Sequence, residues 1–234
     1  MRKVIMFPFL LLPLCGAALG KMSRPVQKLP QLRRIEQANF GPSCNIRLRT
    51  PENAEFPKTY STKSGKGGGS IILRNLPQNF KGGGTLYFGF VCYDAATKDL
   101  HKGEPVRYDA NKGKWVRDSA NMLNVGTEGW TSAEKRTLDR AVHFFELRAV
   151  NAQGYAYTQD DINGDEDSRM RRLHYCLIHP PKALCGDGDI GYLNDGRKGD
   201  LTHYSLQILR SIEFIDDAAP TTSKETPAVR ARRK

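Results

Sequence analysis

Beyond its first twenty residues the sequence has no long apolar run, and its mean hydropathy is −0.54. That excludes a chain built of several membrane-spanning helices. Glycine and proline are not in excess, and 39% of the residues are hydrophobic, so a collagen-like or wholly disordered chain is excluded as well. Several catalytic signatures are missing. There is no Gly-x-Ser-x-Gly elbow. The glycine runs lack the phosphate-loop order, because Lys66 precedes its glycines instead of following them, and both runs lead into apolar, strand-like segments. Ser132-Ala-Glu-Lys135 has the form of a penicillin-binding tetrad, with Ser119-Ala-Asn121 and Lys63-Ser64-Gly65 resembling its companion motifs. In that family the tetrad comes first; here the order is reversed, and Ser132 is read as a helix cap. The 234 residues suffice for one large domain or two small ones, with a core that needs no metal.

The amino terminus carries what the body lacks. Arg2 and Lys3 precede an apolar stretch from Val4 to Leu14, and Ala18-Leu19-Gly20 offers small residues for cleavage before Lys21. We read residues 1–20 as an export signal, which places the protein in the periplasm. The stretch is short for a membrane span and is interrupted by Pro8 and Pro13. Lipidation at Cys15 fits less well, since Leu14 stands where a small residue is wanted. Cleavage leaves Cys44, Cys92, Cys176 and Cys185, an even number suited to two disulfides in an oxidising compartment. Three pairings are open. A short loop across adjacent strands favours Cys176–Cys185, which leaves Cys44–Cys92 as the longer closure, with roughly 3–4 kcal/mol of chain-entropy stabilisation.

Formal charge is +11, yet residues 40–220 hold 24 basic against 23 acidic residues. The excess lies in residues 21–39, a proline-containing basic leader with a helical turn expected at Leu29–Ile35, and in a basic, disordered tail at 221–234. A nucleic-acid-binding domain would concentrate positive charge on the folded body instead. The ends could touch anionic envelope polymers weakly.

Between them the pattern predicts an α+β domain over 40–220, mainly antiparallel β-sheet with few helices, with two subdomains meeting near 125–140 left open. Strands are expected after each glycine run, at Ile71–Leu73 and at Leu86–Tyr93, the second central and buried on both faces. A hairpin is expected within Glu104–Val116, and a helix from Ser132 towards Ala141. Strands follow at Val142–Val150, Tyr155–Thr158, Leu173–Ile178 and Ala183–Leu193. A C-terminal amphipathic helix capped by Asp200 buries Leu201, Tyr204, Ile208, Leu209 and Ile212.

Two clusters suggest metals, and neither fits. Asp161, Asn163, Asp165 and Asp167 alternate like a calcium loop, but Glu166 takes the glycine position and Arg172 that of the bidentate Glu. His174, Cys176, His179 and Cys185 depart from zinc spacing, and oxidation would pair the cysteines first. His101, His143 and His203 have no evident partners, and Asp187 and Asp189 are explained by turn chemistry. No metal, cofactor or catalytic residue is assigned.

The C-terminal half carries a resemblance. Phe145-Glu-Leu-Arg-Ala-Val150 with Asn151-Ala-Gln-Gly154, Gly164-Asp165-Glu166-Asp167, Arg171-Arg172-Leu-His-Tyr-Cys176-Leu177, Ala183-Leu-Cys185-Gly-Asp-Gly188 and Ile208-Leu-Arg-Ser-Ile-Glu-Phe214 follow in order. Over roughly residues 142–216, about a third of the chain, this resembles periplasmic immunity proteins that accompany type VI secretion effectors. The resemblance implies a non-enzymatic protein that binds and neutralises an envelope-acting toxin. Such an interface would cover roughly 1,200–2,000 Å². The acidic loop, Asp160, Asp161, Asp165, Glu166 and Asp167, is the expected contact, steering a basic partner, with Arg169, Arg171 and Arg172 as anchors. Pairing of these charges among themselves is the competing expectation. Two other functions stay open: an envelope accessory or adhesion component, and a hydrolase whose site has no recognised motif.

Overall fold

Strand formation is set by alternation. In Leu86–Asp94 the side chains of Leu86, Phe88, Phe90 and Cys92 are buried, while Tyr87 between them is 43% exposed. This period of two commits one face of the strand to a core. In this computed structural model, residues 29–55, 60–61, 67–74, 76 and 86–215 are described. The predicted signal with Cys15, the start of the leader, the second glycine run and the basic tail lie outside them.

The elements in order are β1 (Arg34–Asn39), β2 (Asn45–Thr50), β3 (Ala54–Glu55), β4 (Tyr60–Ser61), β5 (Gly67–Leu73), β6 (Leu86–Asp94), β7 (Val106–Asp109), β8 (Lys114–Arg117), α1 (Ser119–Leu123), α2 (Ser132–Ala141), β9 (Val142–Arg148), β10 (Gln153–Asp160), β11 (Met170–His179), β12 (Lys182–Tyr192), α3 (Gly196–Gly199), α4 (Thr202–Arg210) and β13 (Glu213–Ile215). An eight-stranded antiparallel sheet runs β3-β5-β6-β12-β11-β10-β9, with β4 also on β5. A second sheet is ordered β1-β2-β13, and β7 and β8 form a hairpin. This is the α+β, mainly antiparallel architecture that the sequence predicts.

Strands β10, β11 and β12 are buried on both faces. Ala156, Leu173, Tyr175, Leu177 and Leu184 face a core shared with α4 and the three-stranded sheet, including Phe40, Ile46, Leu48, Ile208 and Phe214. The alternate residues Tyr155, Tyr157, Cys176 and Ala183 face a second core under residues 95–141, built on Val106, Trp115, Met122, Leu138 and Val142. Met122 of α1 and Leu138 of α2 share this second core with Tyr155 and Tyr157 of β10 and Cys176 of β11.

Glycine decides how closely the layers approach. The β12–β6 ladder ends at Cys185 opposite Val91, and the β6 backbone then passes over β12. A Cβ on Gly186 would overlap the Gly89 carbonyl, and one on Gly188 the Tyr87 carbonyl. Across this crossing the fully buried Tyr175 donates its hydroxyl to the Gly89 carbonyl oxygen at 2.7 Å. Two disulfides fasten the arrangement. Cys44–Cys92, 48 residues apart, ties the turn before β2 to β6. Cys176–Cys185 links directly opposed residues of β11 and β12. These are the pairings favoured from loop length.

Three local expectations change. The predicted leader is not separate from the fold: Arg34–Asn39 is strand β1, paired with β2 along its whole length, and no helical turn forms at Leu29–Ile35. Its outward face, Ile35, Gln37 and Asn39, is solvated, which leaves Ile35 60% exposed. The first glycine run lies inside β5 and does not merely precede it, because the bare backbone at Gly67 packs against Phe40. Strand β6 is interior to its sheet but buried on one face only.

Gly186→Ala is expected to cost about 3 kcal/mol or more, since backbone must move to admit the methyl group. Tyr175→Phe, which strands a carbonyl without changing shape, should cost about 1–2 kcal/mol. Urea unfolding followed by circular dichroism tests both; equal effects would show that the crossing is not closely packed.

Candidate functional site

The acidic segment is a hairpin connection most of whose carboxylates accept hydrogen bonds from nearby groups. At its base the Asp161 amide donates to the Met170 carbonyl at 2.9 Å, and the Met170 amide to Asp161 Oδ2 at 3.0 Å. Gly164, with φ of +92°, turns the chain, and its carbonyl accepts Nε and Nη2 of Arg169 at 3.2 and 3.1 Å. Asp165 Oδ1 accepts the Asp167 amide at 3.3 Å, and Asn194 donates to Asp167 Oδ1 at 2.7 Å. Arg171 grips both oxygens of Asp160 at 2.6 and 2.8 Å and reaches Asp200 at 2.6 Å. The hydrogen bonds that Arg171 donates to Asp160 lead the causes that raise the guanidinium pKa, against partial burial. Asp200 also accepts the Thr202 amide at 2.9 Å, so Arg171 ties the hairpin to the start of α4; the N-cap position itself is Leu201, not the expected Asp200, and has no side-chain cap. Arg172 lies 3.5 Å from Asp189 at the surface. Among the described residues only Glu166, of the eight selected from sequence, has no polar partner.

The second candidate lies in residues 95–141, which cover one face of β10 and β11. The expected hairpin forms as β7–β8, its turn held by Asp109, whose Oδ1 accepts the amides of Asn111 and Lys112 at 3.1 and 3.3 Å. Asp118 caps α1 through the Asn121 amide at 3.4 Å. The Asn121 side chain then donates to the carbonyls of His101 and Glu104, and more weakly Val106, at 2.9, 2.7 and 3.3 Å. One amide thus gathers the loop, the hairpin and α1. Thr131, not Ser132, is the N-cap of α2, in a reciprocal box with Glu134 whose hydrogen bonds lower that carboxylate's pKa.

Polar side chains attach this layer to the sheet. His101 Nδ1 lies 3.0 Å from the Tyr155 hydroxyl, and its ring meets Trp115 edge-on at 4.6 Å. Tyr157 donates to Glu104 Oε2 and stacks on His174 at 4.8 Å. Burial, then the Glu104 charge, pushes both phenols far above their ordinary range, so they remain donors. Burial lowers His101, and lowers His174 against the opposing pull of Glu104 and Asp187. Both imidazoles are held neutral.

On the outer side lies an open groove of about 730 Å³, lined by His101, Lys102, Arg107, Tyr108 and Trp115, with Asn124 of α1's end. Trp115 forms its floor, packed against Tyr155 at 4.9 Å and Tyr108 at 5.6 Å. Tyr108 is 45% exposed. The sequence contains the hairpin but not the groove, because the two histidines find their tyrosine partners more than fifty positions or one strand away. The one local signal is aromatic Tyr108 placed opposite Trp115 among basic residues. The residues weighed for zinc separate: Cys176 and Cys185 are bonded to each other, His174 stacks on Tyr157, and His179 binds the Asn151 carbonyl at 2.8 Å. Among the described residues no three His, Cys, Asp or Glu side chains are placed to share a metal.

Arg171→Ala should cost about 2 kcal/mol by leaving Asp160 and Asp200 facing each other unpaired; an unchanged urea midpoint would show that the pairs are only superficial. The histidines set a pH dependence. Their folded pKa values lie below the ordinary 6.5, so just under that pH the unfolded chain binds more protons. Their contribution is complete above 6.5 and is lost as the pH falls from there towards the folded values. His101→Gln with His174→Phe should flatten the fall in stability between about pH 7 and 5.5; an unaltered slope would assign it to other groups.

No family model matches the sequence, and none of the curated proteins searched matches it either.

Proposed function

We propose that the chain is an exported, non-enzymatic binding protein of the cell envelope, an immunity protein that neutralises a type VI secretion effector by covering a functional surface of it. The observation that carries this reading is the groove over Trp115, with a half-exposed tyrosine at its side. Tyrosine, tryptophan and arginine dominate the energetics of protein interfaces, and Tyr108, Trp115 and Arg107 meet here. Two disulfides, Cys44–Cys92 and Cys176–Cys185, support an oxidising compartment, which in this reading is the periplasm.

The division of the chain supports the reading further. The segments resembling periplasmic immunity proteins form β9 to β12, α4 and β13, the scaffold of the larger core. The groove belongs to residues 95–141, laid on that scaffold. A common frame with a separate recognition layer suits proteins that must each match a different toxin. The acidic hairpin is the poorer contact, since its carboxylates already have partners and meeting a toxin there would break internal pairs.

Cells lacking the chain should be intoxicated by neighbours that deliver the cognate effector, and the chain supplied in trans should protect them. Tyr108→Ala, which removes an exposed side chain, should leave the melting temperature unchanged while weakening effector binding at least about ten-fold. Equal binding by this variant would remove the groove; survival of the deletion strain among effector-producing neighbours would remove the immunity reading.

A further inference from the structure

The charge around the groove is set by where its acids turn. Residues 97–117 carry six basic residues, Lys98, Lys102, Arg107, Lys112, Lys114 and Arg117, against Asp99, Glu104 and Asp109. Glu104 is turned towards the sheet, where Tyr157 holds it. Asp109 is buried in its own turn, with Lys112 at 3.6 Å. Only Asp99 is left facing outward. Arg107 is 3.4 Å from the capping Asp118, and Arg117 is held by Asp139 at 2.6 Å. Lys98 and Lys102 are exposed and have no ion-pair partner among the described residues; Lys102 lines the groove, and Lys98 sits between its lining residues Thr97 and Asp99. With Asp99 and Asp118 also at the groove, Lys98, Lys102 and Arg107 leave its rim an excess of one positive charge around an aromatic floor.

We propose that the groove receives an acidic surface of the exported effector: carboxylates that meet Lys98 and Lys102, beside an apolar side chain that rests on Tyr108 and Trp115. This rests on the binding-protein reading and reverses the polarity that the acidic hairpin suggests. Within the hairpin at 160–172 each carboxylate but Glu166 accepts an internal hydrogen bond, so a partner docking there would have to compete with those bonds. At the groove the ammonium groups of Lys98 and Lys102 outnumber the outward Asp99 and have no ion-pair partner among the described residues, and opposite charge on the partner raises the rate of encounter while the aromatic contact sets its duration.

A photo-cross-linking amino acid placed at position 108, and separately at 166, in the full chain expressed in its own cells identifies the partner by mass spectrometry. The protein captured from 108 is then purified, and its association with the wild-type chain and with Lys98→Glu plus Lys102→Glu is followed by stopped flow at several salt concentrations. The expected result is capture from 108 and not 166, an association rate that falls as salt is added, and at least about a ten-fold slower rate for the charge-reversed chain at low salt with little change in dissociation. Both lysines are exposed, so matched thermal melts confirm that the variant is folded. Capture from 166, capture of a second copy of the chain, or an association rate indifferent to salt and to charge reversal would overturn the inference while leaving a binding protein. Capture of no exported protein from either position would overturn the binding-protein reading itself.

Discussion

Three tyrosines project from strands buried on both faces, and each hydroxyl must find a polar partner away from water. A buried hydroxyl left unpaired costs about 1–3 kcal/mol, so these partners constrain where the rest of the chain can lie. Tyr175 takes the Gly89 carbonyl, 86 positions away. Tyr155 pairs with His101 and Tyr157 with Glu104, 54 and 53 positions away. The first bond fixes the crossing of β6 over β12; the other two fix residues 95–141 on the opposite face. Glycine at 186 and 188 is needed for the same reason, since the crossing that brings Gly89 within reach leaves no room for a Cβ.

What could be read along the chain is what depends on near neighbours. The C-terminal strands, the capping chemistry at 131–134 and the apolar stripe of α4 are local patterns, and the structure contains them all. The favoured disulfide pairing was legible for a related reason: nine residues can bring two cysteines face to face across a hairpin. Strand β1 was hidden because composition and position compete. An edge strand with one solvated face tolerates Arg33, Arg34 and an exposed Ile35, and so resembles a basic leader. Helix α1, only five residues long, has too few turns to show a periodicity.

The candidate site was less legible, and the acidic segment shows why. Five carboxylates within eight positions look like a reserve of negative charge. Three dimensions add Arg171 across the ladder, Asn194 from beyond β12 and the amide of Met170 at the hairpin base. A short-range charge count cannot see these partners, because β-sheet pairing sets them. The groove has the opposite history. His101 at its edge and Glu104 behind it look unremarkable in sequence and acquire meaning only when β10 passes beneath them.

The inward turn of Glu104 links the two halves of the argument. Facing outward it would cancel one of the lysines at the groove; held by Tyr157 it helps to dock the layer and leaves the rim positive. The same carboxylate also favours a proton on His174, and burial outweighs it. Burial thus holds the imidazole pKa below its ordinary value while the ring stacks on Tyr157. Attachment of residues 95–141 and the sign of the surface they present are consequences of one side-chain orientation. A recognition layer built this way can change its outward residues, Tyr108, Lys98 and Lys102, without disturbing the inward contacts that hold it. That separation is what an inhibitor matched to a changing target requires, and it places specificity in the layer rather than in the sheet that carries it.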